Sequence, residues 1–302
     1  MIRRAILATT VAVALALTGC TPGTGTASSS PSPEIPDFRK PGAAKAMVEQ
    51  LLADAESQQA LMVKVSQHNV EVSVLKDDKV VTWANRSGTV TQVASDLAYV
   101  DQATFDVDGY QFDNVGALFR AAAGQSGSEA NQSLTIVDYS GGKVMMSVST
   151  EPESRTVFFT SSGSLLEILD FNTEGGVVGG VATAIGGRTT IYSLSVISDQ
   201  SVSVEFPGAN DTTIRRARAQ KVPVTTTVRS GATNLPLYAT SVVDPRAIWR
   251  VVQAQRGEGG ISENSTWSVT IDNREKRLQP RMYFTFGFTV VVTDLAGDVI
   301  DQ

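Results

Sequence analysis

One pattern recurs four times along the chain, and it limits the folds that the sequence can adopt. Each copy begins with apolar residues spaced as on one face of a helix and continues with about three segments in which apolar and polar residues alternate. Helical spacing repeats about every 3.6 residues, whereas alternation is typical of strands with one buried face. Each copy is therefore predicted to be one amphipathic helix followed by antiparallel strands.

The first copy shows the pattern most clearly. Its alternating segments contain Val63 and Val65, then Val70, Val72 and Val74, and the Lys and Asp residues at 76–79 predict a turn before the next strand. Further strands are expected from residue 80 and from residue 89. The apolar helix face that precedes them consists of Ala44, Met47, Val48, Leu51, Leu52 and Ala55.

The other copies follow the same order. Asn114 and Asp244 each stand directly before a helical stripe, where an N-cap is expected, and aligning them relates the second copy to the fourth by a shift of 130 residues. The predicted helix faces are Val115, Leu118, Phe119 and Ala122, then Val178, Val181, Ala182 and Ile185, and finally Ile248, Val251 and Val252. The predicted strands cover 134–138, 144–149, 157–160, 192–196, 202–206 and 267–271, and a long final strand carries Phe284, Phe286, Phe288, Val290 and Val292 on one side.

The repeat predicts how the copies combine. One helix and three strands cannot bury both faces of a sheet alone, so the copies are expected to fold in pairs. The fold class is therefore predicted to be α+β, with two lobes of antiparallel sheet that are each covered by helices. The lobes are expected to span 43–172 and 173–302. A single continuous curved sheet is the alternative.

Composition removes several classes of function. The chain has 25 basic and 31 acidic residues and a net charge of -6, so it has no excess of cations with which to bind nucleic acid. Its one cysteine, Cys20, and its one histidine, His68, exclude an internal disulfide framework and a zinc site built from several such ligands. His68 falls between two predicted strands, where a solvated turn is the natural interpretation.

The N-terminal residues predict export. Arg3 and Arg4 precede an apolar run over 5–17, which is too short to span a bilayer as a finished helix and is typical of a secretory signal peptide. The run ends in Leu17-Thr18-Gly19-Cys20, which resembles the lipobox of bacterial lipoproteins. The resemblance covers the first twenty residues. It implies cleavage of residues 1–19 and a diacylglycerol on the Cys20 thiol.

This resemblance implies a protein that is secreted across the cytoplasmic membrane and lipid-anchored to its outer face. Cleavage removes Arg3 and Arg4 and leaves 23 basic and 31 acidic residues, a net charge of -8, so electrostatic attraction to anionic lipid is not expected. Residues 20–42 carry the lipidated Cys20 and are rich in Pro, Ser, Thr and Gly, which predicts a disordered tether. An irregular arm packed on the body is the alternative for 35–38.

Two groups of residues are candidates for contact with a ligand or partner. The basic run Arg215, Arg216, Arg218 and Lys221 suits an anionic polymer or a lipid headgroup, or else forms a charged edge strand. On a strand, Arg216 and Arg218 would share a face. The aromatic stripe lines an apolar cavity or is core, and it consists of Phe284, Phe286 and Phe288.

Cofactor sites are not predicted, apart from the covalent lipid on Cys20. Asp106 and Asp108 supply oxygen ligands suited to calcium, but the third ligand and the terminal Glu of an EF-hand loop are missing, so turn-forming acids are the better interpretation. The glycines at 175–187 do not match a phosphate-binding loop, and they are expected to link the two halves and to let a small-residue helix pack closely.

Three classes of function remain. The first is a non-catalytic binding or assembly module for a protein or polymer of the cell envelope, and tandem helix-plus-sheet repeats are similar to the β-lactamase inhibitor proteins. The second is a lipid or glycolipid carrier, because half-barrel lipid-transfer lipoproteins also begin with a lipobox, a tether and an amphipathic helix. The third is an envelope hydrolase that uses carboxylates. The sequence favours the first class.

Overall fold

In its described residues, lobe 1 contains two helices and seven strands. The computed structural model describes residues 35–95, 97–257, 261–262 and 265–300. The first half of lobe 1 consists of α1 (Ala43–Asp54), β1 (Met62–Val65), β2 (Asn69–Lys76), β3 (Lys79–Arg86) and β4 (Thr89–Val93). After a short 3-10 turn (Val107–Gly109), the second half consists of α2 (Val115–Ser126), β5 (Ser133–Ser140), β6 (Lys143–Ser149) and β7 (Thr156–Phe159).

Lobe 2 repeats this order with one added ribbon. Its first half consists of α3 (Glu174–Ile185), β8 (Thr190–Ile191), β9 (Ser193–Ile197), β10 (Ser201–Pro207), β11 (Thr212–Ala219) and β12 (Thr225–Ser230). Its second half consists of β13 (Tyr238–Ala239), a 3-10 turn (Thr240–Val242), α4 (Pro245–Gly257), β14 (Trp267–Asp272), β15 (Arg281–Phe286) and β16 (Thr289–Thr293). The short strands β8 and β13 pair with each other outside the main sheet.

The two sheets have the same topology. The strand order is β4-β3-β2-β1-β5-β6-β7 in lobe 1 and β12-β11-β10-β9-β14-β15-β16 in lobe 2, and every pairing is antiparallel. The two halves of each sheet are joined at its centre, where β1 pairs with β5 in lobe 1 and β9 pairs with β14 in lobe 2. The predicted α+β fold with two lobes is therefore confirmed, and the alternative of one continuous sheet is wrong.

Alternation in the sequence produces the apolar core face of each sheet. Val70, Val72 and Val74 of β2 are fully buried in the core of lobe 1, together with Val48 of α1 and Leu118 of α2. The second lobe has a separate core of the same kind. Burial of one large apolar side chain contributes about 1.5–3 kcal/mol, so these two faces supply the main driving force for folding.

Side-chain N-caps begin α2 and α3, and the one at Asn114 was predicted from the sequence. The Asn114 side chain accepts a hydrogen bond from the Ala117 backbone N–H at 2.9 Å. The Thr173 hydroxyl accepts one from the Gly176 N–H at 3.1 Å at the start of α3. Each bond satisfies a backbone donor that has no partner within the helix.

The buried face of α3 differs from the predicted one. Of the expected stripe Val178, Val181, Ala182 and Ile185, only Val181 is buried, and the helix instead buries Gly176, Val177, Gly180, Val181 and Ala184. The glycines make the difference, because a Cβ atom at Gly180 would lie 2.6 Å from the Phe171 ring and 2.8 Å from Val202. The glycine-rich segment is thus a closely packed helix, as expected, but it is not the link between the halves, which is residues 160–173.

The long final strand is two strands. The chain turns at Gly287 (φ 60°) and Phe288 before β16 begins. Val291 is the cross-strand partner of Phe284, and Val290 is the partner of Thr285, so Val290 lies on the opposite face from Phe284. The predicted single apolar side is therefore wrong, because alternation alone does not reveal a two-residue turn.

Gly176 offers a direct test of the packing of α3. A Cβ atom at Gly176 would lie 1.8 Å from the Asp170 carbonyl oxygen, whereas one at Gly175 would meet no atom within 4 Å. We expect Gly176→Ala to lower the free energy of unfolding by about 1–3 kcal/mol, as overpacking does. Gly175→Ala should be neutral or stabilising by up to about 1 kcal/mol, because Ala favours a helix. Urea unfolding monitored by circular dichroism measures both, and equal midpoints would contradict this packing.

Candidate functional site

The strongest candidate site is a groove at one end of lobe 1. It has a volume of about 450 Å³ and lies where three separate chain segments meet: the arm at 36–40, the β1–β2 turn at 66–69 and the start of β5 at 131–133. We call it the lobe 1 groove. Its polar lining residues are Arg39, Lys64, Ser66, Gln67, His68, Asn69, Glu71, Glu129, Asn131, Gln132, Ser133 and Glu151, and Phe119 completes the wall.

The arm is held in place by one aromatic anchor and two backbone contacts. Phe38 is buried in the core of lobe 1, and its N–H donates to the Gln67 carbonyl at 2.8 Å. His68 Nδ1 donates to the Pro36 carbonyl oxygen at 2.8 Å, which fixes the proton on that ring nitrogen. The packed arm, the alternative considered for 35–38, is therefore what the structure shows at Phe38, and His68 stabilises the groove wall.

Two ion pairs neutralise part of the charge in this region. Arg39 binds Asp37 through two nitrogens, with Nη2 to Oδ2 at 2.7 Å, and its hydrogen bonds lower the pKa of Asp37 to about 2. Arg86 pairs with Glu71 at 3.2 Å. Because both pairs are solvent-exposed, each contributes little to stability, and their effect is to hold the side chains at the groove in defined positions.

The remaining charged groups of the groove are uncompensated. Within the described ranges, Lys64, Glu129 and Glu151 make no ion pair. They therefore place one cation and two anions along the wall. A ligand with both polar donors and polar acceptors would satisfy this wall better than an apolar one.

The floor of the groove contains one hydroxyl without a partner. Gln132 donates to the Phe119 carbonyl at 2.7 Å, and Asn131 donates to the Glu151 carbonyl at 3.3 Å, so both amides are partly engaged. The Ser133 hydroxyl oxygen is buried and has no hydrogen-bond partner in the described part of the chain. Such atoms are rare in folded proteins, and this one has no exposed surface, so a group in the groove would reach it only after a neighbouring side chain moved.

The groove extends beyond this cavity. A neighbouring cavity of about 360 Å³ shares Arg39, Phe119, Glu129 and Gln132 with it and adds Arg120. The two together form one elongated polar surface along the arm and α2. This shape suits an extended segment of a polymer or peptide rather than a compact cofactor.

Lobe 2 has a smaller cavity at the equivalent place. It measures about 240 Å³ and lies between the β9–β10 turn (Asp199, Gln200), the start of β14 (Trp267) and the end of β15 (Thr285). The repeat therefore builds the same kind of recess twice. The segment before α3 also has a buried phenylalanine, Phe171, and its Asn172 side chain accepts from the Trp267 indole N–H at 3.3 Å.

The basic run is not a free cationic surface. Arg218 is buried (3% exposed), and its guanidinium donates to the carbonyls of Ala219, Gln220, Val222 and Glu167. Arg216 donates to carbonyls at the end of α3, and these two arginines share a face, as expected. Arg215 lies on the other face against Ser203, and Lys221 is exposed beyond the strand. The alternative of an edge strand is wrong, because β11 lies between β10 and β12.

The aromatic stripe is divided between core and solvent. Phe284 and Phe286 are buried and stacked in the core of lobe 2, with ring centroids 5.7 Å apart. Phe288 is fully exposed at the tip of the β15–β16 turn. None of the three lines the cavities described above, so the structure does not bring them together as one apolar binding surface.

The acidic candidates form a turn. The Asp106 side chain accepts from the Asp108 N–H at 2.9 Å, and Asp108 pairs with Lys45 at 3.1 Å. Across the described ranges, no group of three or more His, Cys, Asp or Glu side chains is arranged to hold a metal ion. Cys20 and the signal motif Leu17, Thr18 and Gly19 lie outside the described residues. Among the described helices, none is long and apolar enough to cross a membrane.

Sequence reasoning did not find the lobe 1 groove. Its residues come from segments near 39, 64–71, 129–133 and 151, which no local motif connects. The one feature of the sequence that points to the groove is that Lys64 and Glu71 are the polar members of alternating segments, and the structure makes them cross-strand partners. Which strand ends meet depends on the pairing of β1 with β5.

Comparison with known proteins gives no relative from which a function follows. No protein-family model matches the chain, and no curated protein matches it. Among solved structures, the chain is similar to the crystal structure of PCNA from Thermococcus kodakaraensis, with 10% identity and a TM-score of 0.16, over 80% of this chain and 91% of that chain. A likeness at that TM-score carries no argument about function.

Proposed function

We propose that this protein is a lipid-anchored module of the cell envelope that binds a polar partner through the lobe 1 groove, without catalysis. The observation that carries the proposal is the groove itself, a polar recess in which Lys64, Glu129 and Glu151 make no ion pair within the described ranges. The lipobox resemblance at Leu17-Thr18-Gly19-Cys20 supports its location at the outer face of the cytoplasmic membrane.

The partner class follows from the chemistry of the groove wall. Amides, carboxylates and one ammonium group recognise hydroxyl, amide and amine groups, which occur along glycans and peptides. The lining side chains are polar or charged except for that of Phe119. We therefore propose an envelope polymer or an extended protein segment as the partner, and not a lipid chain.

Two features of the groove favour binding over hydrolysis. The Ser133 hydroxyl has no hydrogen-bond partner among the described residues, so no neighbouring base activates it. His68 uses Nδ1 to hold the Pro36 carbonyl. A carrier of lipid is less well supported, because Phe284 and Phe286 pack in the core.

The length of chain before the arm is compatible with action close to a membrane. Fifteen residues separate the start of the mature chain at Cys20 from Ile35. At full extension they would reach about 50 Å. The groove includes Arg39, only a few residues farther along the chain, so a partner within this distance of the bilayer is accessible.

The anchor is tested by Cys20→Ala. Acylation requires the thiol, so we expect the variant to incorporate no radiolabelled palmitate and to leave the membrane fraction, whereas the wild-type protein is labelled and sediments with membranes. A Cys20→Ala variant that remains membrane-bound to the same extent would contradict lipid anchoring.

The groove is tested by site-specific cross-linking on intact cells. A photoreactive residue in place of Glu129, at the groove rim, should yield a discrete adduct with a protein or polymer. The matched control replaces Lys79, an exposed residue at the opposite end of the lobe 1 sheet, because β2 separates the two ends by about 25 Å. Adducts at both positions in equal amount, or at neither, would overturn the proposal for the groove.

A further inference from the structure

The junction between the lobes brings together cations from both of them. The β5–β6 turn of lobe 1 contacts the start of β12, where the Ser140 hydroxyl accepts from the Thr226 N–H at 2.8 Å. A Cβ atom at Gly141 would lie 3.2 Å from Thr226 Cβ, so the turn is in close contact with that residue. Lys143 is the cross-strand partner of Ser140, and Arg216 is the cross-strand partner of Thr226. This register brings the start of β6, which carries Lys143, towards the part of lobe 2 that carries Arg216, and the charge of Arg216 acts on the Lys143 ammonium by lowering its pKa.

Arg218 extends the group into the interior. It lies two residues after Arg216 on the same face of β11, opposite Val202. Its bond to the Glu167 carbonyl crosses from lobe 2 to the connecting segment, and the Leu169 N–H donates to the Gln220 carbonyl at 3.0 Å beside it. We call Lys143, Arg216 and Arg218 the junction cluster.

The protein offsets the charges of the junction cluster only in part: burial lowers the pKa of Arg218, and the charge of the Glu167 carboxylate acts in the opposite direction. Arg216 donates to the Thr183 carbonyl at 3.4 Å and to the Ile185 carbonyl at 3.3 Å, and Arg218 also donates only to carbonyls. None of the three cations forms an ion pair with a carboxylate in the described part of the chain. Carbonyl dipoles satisfy donors, but they add no negative charge.

Proximity and partial burial raise the electrostatic cost of the junction cluster. Burial lowers the pKa of the Lys143 ammonium, and the positive charges of Arg216 and Arg218 lower it further. Burial also lowers the pKa of Arg216, with a smaller contribution from Arg188. An anion bound between these groups would remove the repulsion, and partial desolvation would strengthen its attraction.

Two members of the junction cluster can reach a ligand. Lys143 is exposed and Arg216 is half-buried, whereas Arg218 is buried and acts through its charge. The three ammonium protons of Lys143 and the guanidinium protons of Arg216 that do not face Thr183 and Ile185 remain available as donors. The Lys143 and Arg216 side chains would approach an oxyanion from two sides.

We propose that the junction cluster is a binding site for a phosphate group, contacted by Lys143 and Arg216 and stabilised by the charge of Arg218. A phosphate matches the site better than a single carboxylate, because its several oxygens accept from both side chains and its greater charge offsets more of the three cations. The phosphate belongs to a soluble anion or to a phospholipid headgroup. This site is separate from the lobe 1 groove and does not depend on its function.

Lys143→Gln tests the proposal. It removes one charge at an exposed position and leaves Arg216 at the end of α3. Isothermal titration of the full-length protein with inorganic phosphate, at fixed ionic strength, should show binding. Lys143→Gln should weaken this binding about tenfold, because the variant loses one charge-assisted hydrogen bond. Lys143→Arg should retain phosphate binding, because it keeps the positive charge. Lys221→Gln is the matched control, because Lys221 is exposed and lies outside the junction cluster.

A second arm distinguishes the two sources of phosphate. The full chain carrying Cys20→Ala, which has no thiol to acylate, is mixed with phosphatidylglycerol vesicles and with phosphatidylcholine vesicles. Sedimentation with the anionic vesicles alone, lost with Lys143→Gln, would assign a headgroup, and binding of inorganic phosphate without vesicle binding would assign a soluble anion. Absence of binding in both arms, or equal effects of Lys143→Gln and Lys221→Gln, would overturn the proposal.

Discussion

The antiparallel pairing of β1 with β5, and of β9 with β14, is the contact on which each lobe depends. Each half carries one helix and too few strands to bury an apolar face, and the central pairing joins two halves into one seven-stranded sheet. Both helices then cover the same face. A single core of buried side chains from both helices and from the strands results in each lobe. The repeat in the sequence is therefore a consequence of this shared core.

The same pairing creates the candidate site. It aligns the end of β1 with the start of β5, since Val65 is the cross-strand partner of Leu134. The β1–β2 turn and the residues before β5 consequently meet at one end of the sheet, where Phe38 anchors the arm. In lobe 2 the corresponding ends also meet, but the recess there is smaller. The duplicated scaffold thus carries recesses of different size in its two lobes.

Periodicity predicted the helices, most strands and the two-lobe fold, because burial of one face imposes a regular spacing on α1 and β2. It failed where spacing carries no information. At α3, glycines form the buried face, so the apolar stripe indicated the wrong side. At Gly287 and Phe288, alternation continued through a turn. The pairing order of the strands, which determines the lobe 1 groove, has no local signature.

Strand alternation correctly predicted a shared face for Arg216 and Arg218, but it did not reveal their partners. Both side chains bind backbone carbonyls that lie far away in sequence, including that of Glu167 for Arg218. Only the packed lobes show that Lys143, more than seventy residues away in the sequence, joins the same region. Long-range contacts of this kind distinguish structural cations from surface cations.

Hydrogen exchange of the wild-type protein in its native membranes tests the central claim most directly. Amide exchange is compared between the protein in intact envelopes and the purified protein. If the lobe 1 groove is the binding surface, segments 64–71 and 129–133 should exchange more slowly in the envelope, while the β2–β3 turn at 76–79 should exchange at the same rate in both. Equal exchange at 64–71 and 129–133 in the two preparations would contradict the account.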